Sequence, residues 1–128
     1  MTSEVLLDAS AALADIYGEP GRELVRAHAG RSAMSAVNFA EVISKVRRLG
    51  VPEAQTEFLA EQLGFEVLDA DKRRAAEAGA LHSPLHRSGV SLADGFCLAL
   101  ALELGLPVLT ADRQWASLDL GVEVRLIR

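Results

Sequence analysis

Two apolar runs of this chain stop at an aspartate: VLLDAS at residues 5–10 and LPVLTAD at residues 106–112. Neither run contains a basic residue to balance the charge, and an uncompensated buried carboxylate is costly. Two further acids stand in comparable settings. Asp94 heads a strongly apolar segment in SLADGFCLALA, and Glu41 sits between Ala40 and Val42 in AVNFAEVISKV. Carboxylates gathered at one place repel, and burial adds to the cost. A divalent cation removes the problem. Oxygen-only ligation suits a hard ion such as Mg²⁺ or Mn²⁺ rather than zinc, which favours nitrogen and sulfur. Such an ion lowers the pKa of a bound water and offsets charge on a phosphate.

Each acid also has a plain structural reading. Asp8 can cap a helix starting at Ala9, and Asp112 can cap a turn before Trp115. Ser91 and Asp94 have capping-box spacing. Glu41 can pair with Lys45 four places on. Taken singly these readings are the simpler ones; four such acids taken together favour a shared site.

The elements that would position them alternate along the chain. Residues 4–7 (EVLL) read as a strand, ASAALADIYG as a helix broken by Gly18 and Pro20, and 20–29 as a second helix. SAMS (32–35) is a short strand. Val37, Ala40, Ile43, Val46 and Leu49 then mark a helix that Gly50 stops. Pro52 opens one helix through about Leu63, FEVL (65–68) is a strand, and 69–82 a helix. Ser91–Leu104 is an apolar helix ended by Gly105, LPVLT a strand, Asp112–Trp115 a helical turn, and VEVRLI (122–127) the last strand. Strands alternating with helices imply an α/β domain, a parallel sheet covered on both faces, and strands buried on both faces read as continuous apolar runs. In such a sheet ligands bind beyond the carboxyl ends of the strands, where Asp8 and Asp112 fall.

The 128 residues suit one domain, 1–128, with a substantial core. No apolar stretch of about 18 residues exists, so no membrane span is expected, and MTSEVLLDAS lacks the form of a signal peptide. A single cysteine fits a reducing cytoplasm. The net charge of −5 argues against a protein that coats nucleic acid. Setting the four acids aside, however, leaves 14 acidic against 13 basic residues. Lys45, Arg47 and Arg48, Lys72, Arg73 and Arg74, Arg87 and Arg113 then become candidates for phosphate contacts, Arg113 foremost because it adjoins Asp112; most of the others read as solvated helix faces.

The three segments VLLDAS, SAVNFAEVISKV and GVSLADGFCLALALELGLPVLTADRQW, in this order, resemble the PIN-domain nucleases. Within that superfamily they resemble the VapC-type ribonuclease toxins of bacterial toxin–antitoxin pairs. The likeness runs from about residue 4 to the last strand. It implies a three-layer α/β/α fold with a central parallel sheet. It implies that Asp8, Glu41, Asp94 and Asp112 are the catalytic acids, with Asp8, Asp94 and Asp112 as ligands of Mg²⁺ (Mn²⁺ substituting) and Ser10 and Thr110 in support. It also implies hydrolysis of RNA by an activated water, leaving a 5′-phosphate and a 3′-hydroxyl and so inhibiting translation. The expected partners are a cognate VapB-type antitoxin, a tRNA or rRNA substrate, and a second copy in a homodimer. Asp119 is a weak candidate for a further acid and reads better as a surface loop.

His82 and His86 have the i, i+4 spacing of a zinc pair, but Pro84 lies between them and no HExxH glutamate is present, so a surface role is expected. Cys97 and Trp115 read as core. Two alternatives remain: a PIN-like module that binds without cutting, and a phosphorelay receiver. For the second, Asp69 and Thr110 fit loosely, but Asp8 has no acidic neighbour and VEVRLIR offers no lysine.

Overall fold

The computed structural model describes residues 2–128. Five short strands, β1 (Val5–Leu7), β2 (Ser32–Ser35), β3 (Phe65–Leu68), β4 (Val108–Thr110) and β5 (Val124–Leu126), form one sheet in the order β3-β2-β1-β4-β5. Every pairing is parallel. The chain builds β1, β2 and β3 outwards to one side, then crosses to place β4 on the other side of β1. The reversal of direction between β1 and β4 opens a crevice at their carboxyl ends.

Alternation along the central strands sends side chains to two cores. Val5, Leu7, Met34 and Leu109 face one layer, with α1 (Ala9–Tyr17), α2 (Arg22–Arg26), α3 (Ala36–Arg48), α4 (Glu53–Thr56) and α5 (Leu59–Leu63). Leu6, Ala33 and Val108 face the other, with α6 (Lys72–His82), α7 (Leu92–Leu104) and a 3-10 turn over Arg113–Ser117. The result is the three-layer α/β/α sandwich. Trp115 and Cys97 are both buried in the second core, so packing is their structural role.

The helix expected from Val37, Ala40, Ile43, Val46 and Leu49 is present as α3, although these residues do not face the core as a unit, because strict i+3 spacing drifts around a helix of 3.6 residues per turn. Ala40 and Leu49 are exposed, and the buried line of α3 is Asn38, Val42 and Val46. Two local expectations are corrected. The helix expected from Pro52 to Leu63 is two short pieces, α4 and α5. Thr56 is buried and its hydroxyl bonds back to the Glu53 carbonyl at 2.8 Å, a side-chain bond that competes with the helical ladder, and Phe58 leaves helical geometry at φ −109°, ψ 14°. His82 is not a surface residue: it is half-buried, with Nε2 2.8 Å from the Val90 carbonyl. His86 is exposed.

Two glycines are required by close approach. Gly95, inside α7, would place a Cβ 3.1 Å from the His82 Cβ and 3.2 Å from the Ala78 carbonyl, so α6 and α7 cross tightly beside Asp94. Gly21 has φ +97°, and a Cβ there would overlap the Ile127 carbonyl and lie 2.8 Å from the Ile127 Cβ. Gly21→Ala therefore combines left-handed backbone strain with a backbone clash. We expect a loss of about 2 kcal/mol or more in urea unfolding; an unchanged midpoint would contradict this packing.

Candidate active site

Asp8 leaves β1 directly into α1 and is 5% exposed. It caps that helix, accepting the Ala11 amide on Oδ1 at 2.9 Å. It also accepts the Ser10 hydroxyl on Oδ1 at 2.6 Å and the Thr110 hydroxyl on Oδ2 at 2.6 Å. The two hydroxyls accept in turn: Ser10 Oγ from the Ala111 amide at 2.9 Å, and Thr110 Oγ1 from the Asp112 amide at 3.0 Å. Ser10 and Thr110 thus tie the end of β1 to the end of β4, and the acid at one strand end is anchored to the backbone of the acid at the other.

Asp94 stands in the first turn of α7 within a complete capping box: Ser91 Oγ accepts the Asp94 amide at 3.0 Å and Asp94 Oδ2 accepts the Ser91 amide at 2.9 Å. Asp112 caps the 3-10 turn, accepting the Gln114 amide on Oδ1 at 3.0 Å. The plain capping readings of all three aspartates are therefore real. They do not exhaust the carboxylates, since Asp94 Oδ1 and Asp112 Oδ2 take no part in these bonds. For Glu41 the plain reading of a solvated helix residue paired with Lys45 holds in its exposure and not in the pairing. Among the described residues it forms no ion pair with Lys45; its Oε1 instead accepts from Asn38 Nδ2 at 2.9 Å.

Asn38 is the residue that sequence reading missed. It is fully buried, and the same Nδ2 donates to the Ala93 carbonyl at 3.1 Å, so one amide joins Glu41 on α3 to the turn of α7 that carries Asp94. Its Oδ1 is buried without a partner. The available signal was an amide in line with Val42 and Val46, on what is otherwise an apolar stripe.

The four acids share one electrostatic neighbourhood. Burial is the main cause that pushes the Asp8 carboxyl up to about 6, against the hydrogen bonds from Ser10, Thr110 and Ala11, and the Asp94 charge adds to it. Asp94 is itself raised, first by burial, with the Asp112 charge contributing. The Cys97 thiol is pushed well up by burial and by the charges of Asp8, Asp94 and Glu41. Among the described residues, no three His, Cys, Asp or Glu side chains are placed together so as to hold a metal ion: Asp94 and Asp112 are turned to cap their own helices. The donor set fits a hard divalent cation. It is oxygen-only, it includes the desolvated carboxylate of Asp8, and the nearby charge of Asp94 raises rather than relieves the cost of ionising that group.

This has a consequence for pH. Asp8 has a folded-state value of about 6 against an ordinary 3.8, so the folded protein binds the proton more tightly than the unfolded chain. The stability linked to that proton is fully present below about pH 4 and lost as pH rises through about 6, up to about 3 kcal/mol. In metal-free buffer, urea melts at about pH 4 and pH 7 should show this loss in wild type, and Asp8→Asn should lose clearly less, keeping only the part that comes from the raised Asp94 carboxyl. Parallel profiles for the two proteins would remove Asp8 as its source.

Other candidates fall away. Asp119 is exposed in the connection to β5. Arg73 and Arg74 are tied to Glu103 at 3.1 and 2.9 Å. The receiver-like reading fails on topology: Asp69 follows β3, an edge strand separated from β1 by β2.

Comparison with known proteins agrees with this architecture. Residues 5–120 match the PIN domain. DNA-bound VapBC from Salmonella typhimurium contains a chain similar at 23% identity over 100% of both chains, with a TM-score of 0.75. VapBC-5 of Mycobacterium tuberculosis, a member of the VapBC family of toxin–antitoxin systems, is 29% identical over 98% of both chains, with a TM-score of 0.58. VapC20 of the same organism, a sarcin–ricin-loop-cleaving toxin, is 16% identical over 93% of this chain and 98% of its own, with a TM-score of 0.66. Curated proteins gave no match. The match to the PIN domain takes in β1 to β4 and all four acids, and the chain belongs to the PIN domain family.

Proposed function

We propose that the chain is a Mg²⁺- or Mn²⁺-dependent endoribonuclease and the toxin of a VapBC-type toxin–antitoxin pair, acting on RNA in the cytoplasm and inhibiting translation. The observation that carries this is Asp8: a buried carboxylate at the β1/β4 crevice, raised to about 6, with the charge of Asp94 acting on it; Asp112 acts in turn on Asp94, and Glu41 is joined through Asn38 to the turn that carries Asp94. Asp8, Asp94 and Asp112 would hold the ion, with Glu41 completing the acidic rim. A divalent cation there supplies an activated water and a counter-charge for a phosphate oxygen. The chain's own residues fix the geometry. Ser10 and Thr110 hold Asp8 by both oxygens, Asn38 holds Glu41 against α7, and the Ser91 cap holds Asp94. Arg113, exposed and without an ion pair among the described residues, is placed to meet a phosphate beside Asp112.

A VapB-type antitoxin is the proposed protein partner, and a homodimer the proposed assembly; structures similar to this chain are VapBC complexes. Tyr17 on α1, Leu24 on α2, and Leu49 and Phe58 flanking α4 are large apolar side chains left exposed, a surface suited to a covering segment. The test is incubation of purified protein with tRNA and rRNA, with Mg²⁺, with Mn²⁺ and with EDTA. Cleavage that requires the ion and leaves 5′-phosphate ends supports the reading. Binding of RNA without cutting, at any metal concentration, would favour the non-catalytic module instead.

A further inference from the structure

Ion pairing sorts the basic residues of this chain. Arg22 and Arg26 are taken by Asp15, Arg31 by Glu4, Arg73 and Arg74 by Glu103, Arg125 by Glu123 and Arg128 by Glu19. Among the described residues Lys45, Arg47, Arg48, Lys72, Arg87 and Arg113 have no acidic partner. Three of these six lie on the last turns of α3, and all three are exposed.

Two of the three also line a groove. A cleft of about 530 Å³ runs between α1 and α3, floored by small and apolar side chains including Leu13 and Ala40 and walled by Glu41, Ser44, Lys45 and Arg48. Ala9, the residue after Asp8, borders it as well, so the groove leads out of the acidic crevice. At about 100° per residue, Lys45 and Arg48 lie within roughly 40° of Glu41 around the helix, about 6 and 10 Å further along its axis. Arg47 is turned roughly 120° away and is not part of the groove.

We propose that this α1/α3 groove carries the RNA strand on one side of the bond to be cut, with Lys45 and Arg48 contacting successive phosphates beyond the acidic crevice. The inference rests on the endoribonuclease reading above and adds the path of the substrate. A strand that leaves a phosphate held at the acids along the Glu41 side enters this groove, and the phosphates that follow then meet Lys45 and Arg48. The floor, with Leu13, Val37 and Ala40, is apolar, but the walls carry Ser44, Lys45 and Arg48, a hydroxyl and two cations, unpaired among the described residues, that a phosphodiester strand uses and an apolar helix does not.

Arg47 makes the proposal testable. All three side chains stand near the α3 C-terminus, where a cation favours the helix dipole, and each variant changes net charge by one. A general effect of charge or helix stability would therefore move all three equally. The experiment measures binding of a short fluorescein-labelled single-stranded RNA of mixed sequence, in EDTA, as a function of salt, alongside a thermal melt of each variant. Lys45→Ala and Arg48→Ala are each expected to weaken binding about three- to tenfold and to lower the salt slope by about 0.7, while Arg47→Ala matches wild type. Equal losses in all three, or no loss at Lys45 and Arg48, overturn the groove. A wild type that cuts RNA in Mg²⁺ while the groove variants bind normally sinks this inference alone; a wild type that neither binds nor cuts RNA sinks the endoribonuclease reading and this inference with it.

Discussion

Asp8→Asn is expected to lower RNA cleavage by about a thousandfold or more while leaving the protein folded. A loss of this size corresponds to about 4 kcal/mol of transition-state stabilisation, the scale expected when a charge at the reacting phosphate goes uncompensated. The fold survives because asparagine has nearly the same shape. Its oxygen can still accept from the Ser10 hydroxyl and the Ala11 amide, which meet Oδ1 in wild type. Its amide group would face Thr110 Oγ1, which donates to Oδ2 in wild type, so that one hydroxyl must find another acceptor at a cost of about 1 kcal/mol. Against this, the variant escapes the ionisation penalty of a carboxyl raised to about 6. Near neutral pH and without metal, its unfolding midpoint should equal or exceed that of wild type. Cleavage within tenfold of wild type, with the fold intact, would remove Asp8 from the chemistry and reduce it to a helix cap.

The same residue shows how much of the site could be read in advance. An apolar strand ending on a carboxylate is a local pattern, and it located Asp8 and Asp112 because β1 and β4 are buried on both faces. What no local pattern contains is strand order. That β4 returns to lie against β1, and so sets Thr110 on Asp8, depends on a crossover of about forty residues through α6 and α7. The capping roles of Asp8, Asp94 and Asp112 were legible too, since caps are set within four residues of sequence. The plain alternative of a Glu41–Lys45 pair is absent among the described residues; Asn38 donates to the glutamate instead, and its second bond goes to the Ala93 carbonyl, 55 positions away, which no local pattern shows. Helix faces were the weakest reading. The i+3 spacing marked α3 as a helix but not which of its residues are buried: Ala40 and Leu49 are exposed while Asn38, Val42 and Val46 are buried, and the break at Phe58, just after the buried Thr56, is not visible in spacing at all.

Asp94 separates a metal ligand from a helix cap more sharply than any other position, because in this structure it is demonstrably a cap. Its carboxylate closes the box with Ser91, and asparagine can accept the same Ser91 amide, so Asp94→Asn should cost the helix little. Burial and the nearby Asp112 raise the Asp94 carboxyl, so ionised Asp94 is disfavoured in the folded state without metal. In EDTA near neutral pH the variant should therefore unfold no more easily than wild type. Mg²⁺ should reverse the order. An ion that binds only the native state adds RT ln(1 + [L]/Kd), about 2.7 kcal/mol at a hundredfold excess over Kd, or roughly 10 °C in Tm for a chain of this size. A variant lacking one anionic ligand binds the ion more weakly and gains less. Its cleavage should fall by orders of magnitude alongside Asp8→Asn. If Asp94 were a cap alone, Mg²⁺ would shift both melts equally and cleavage would survive. Melts with and without Mg²⁺ thus read the ligand role separately from activity, and equal shifts with intact cleavage would take Asp94 out of the metal site.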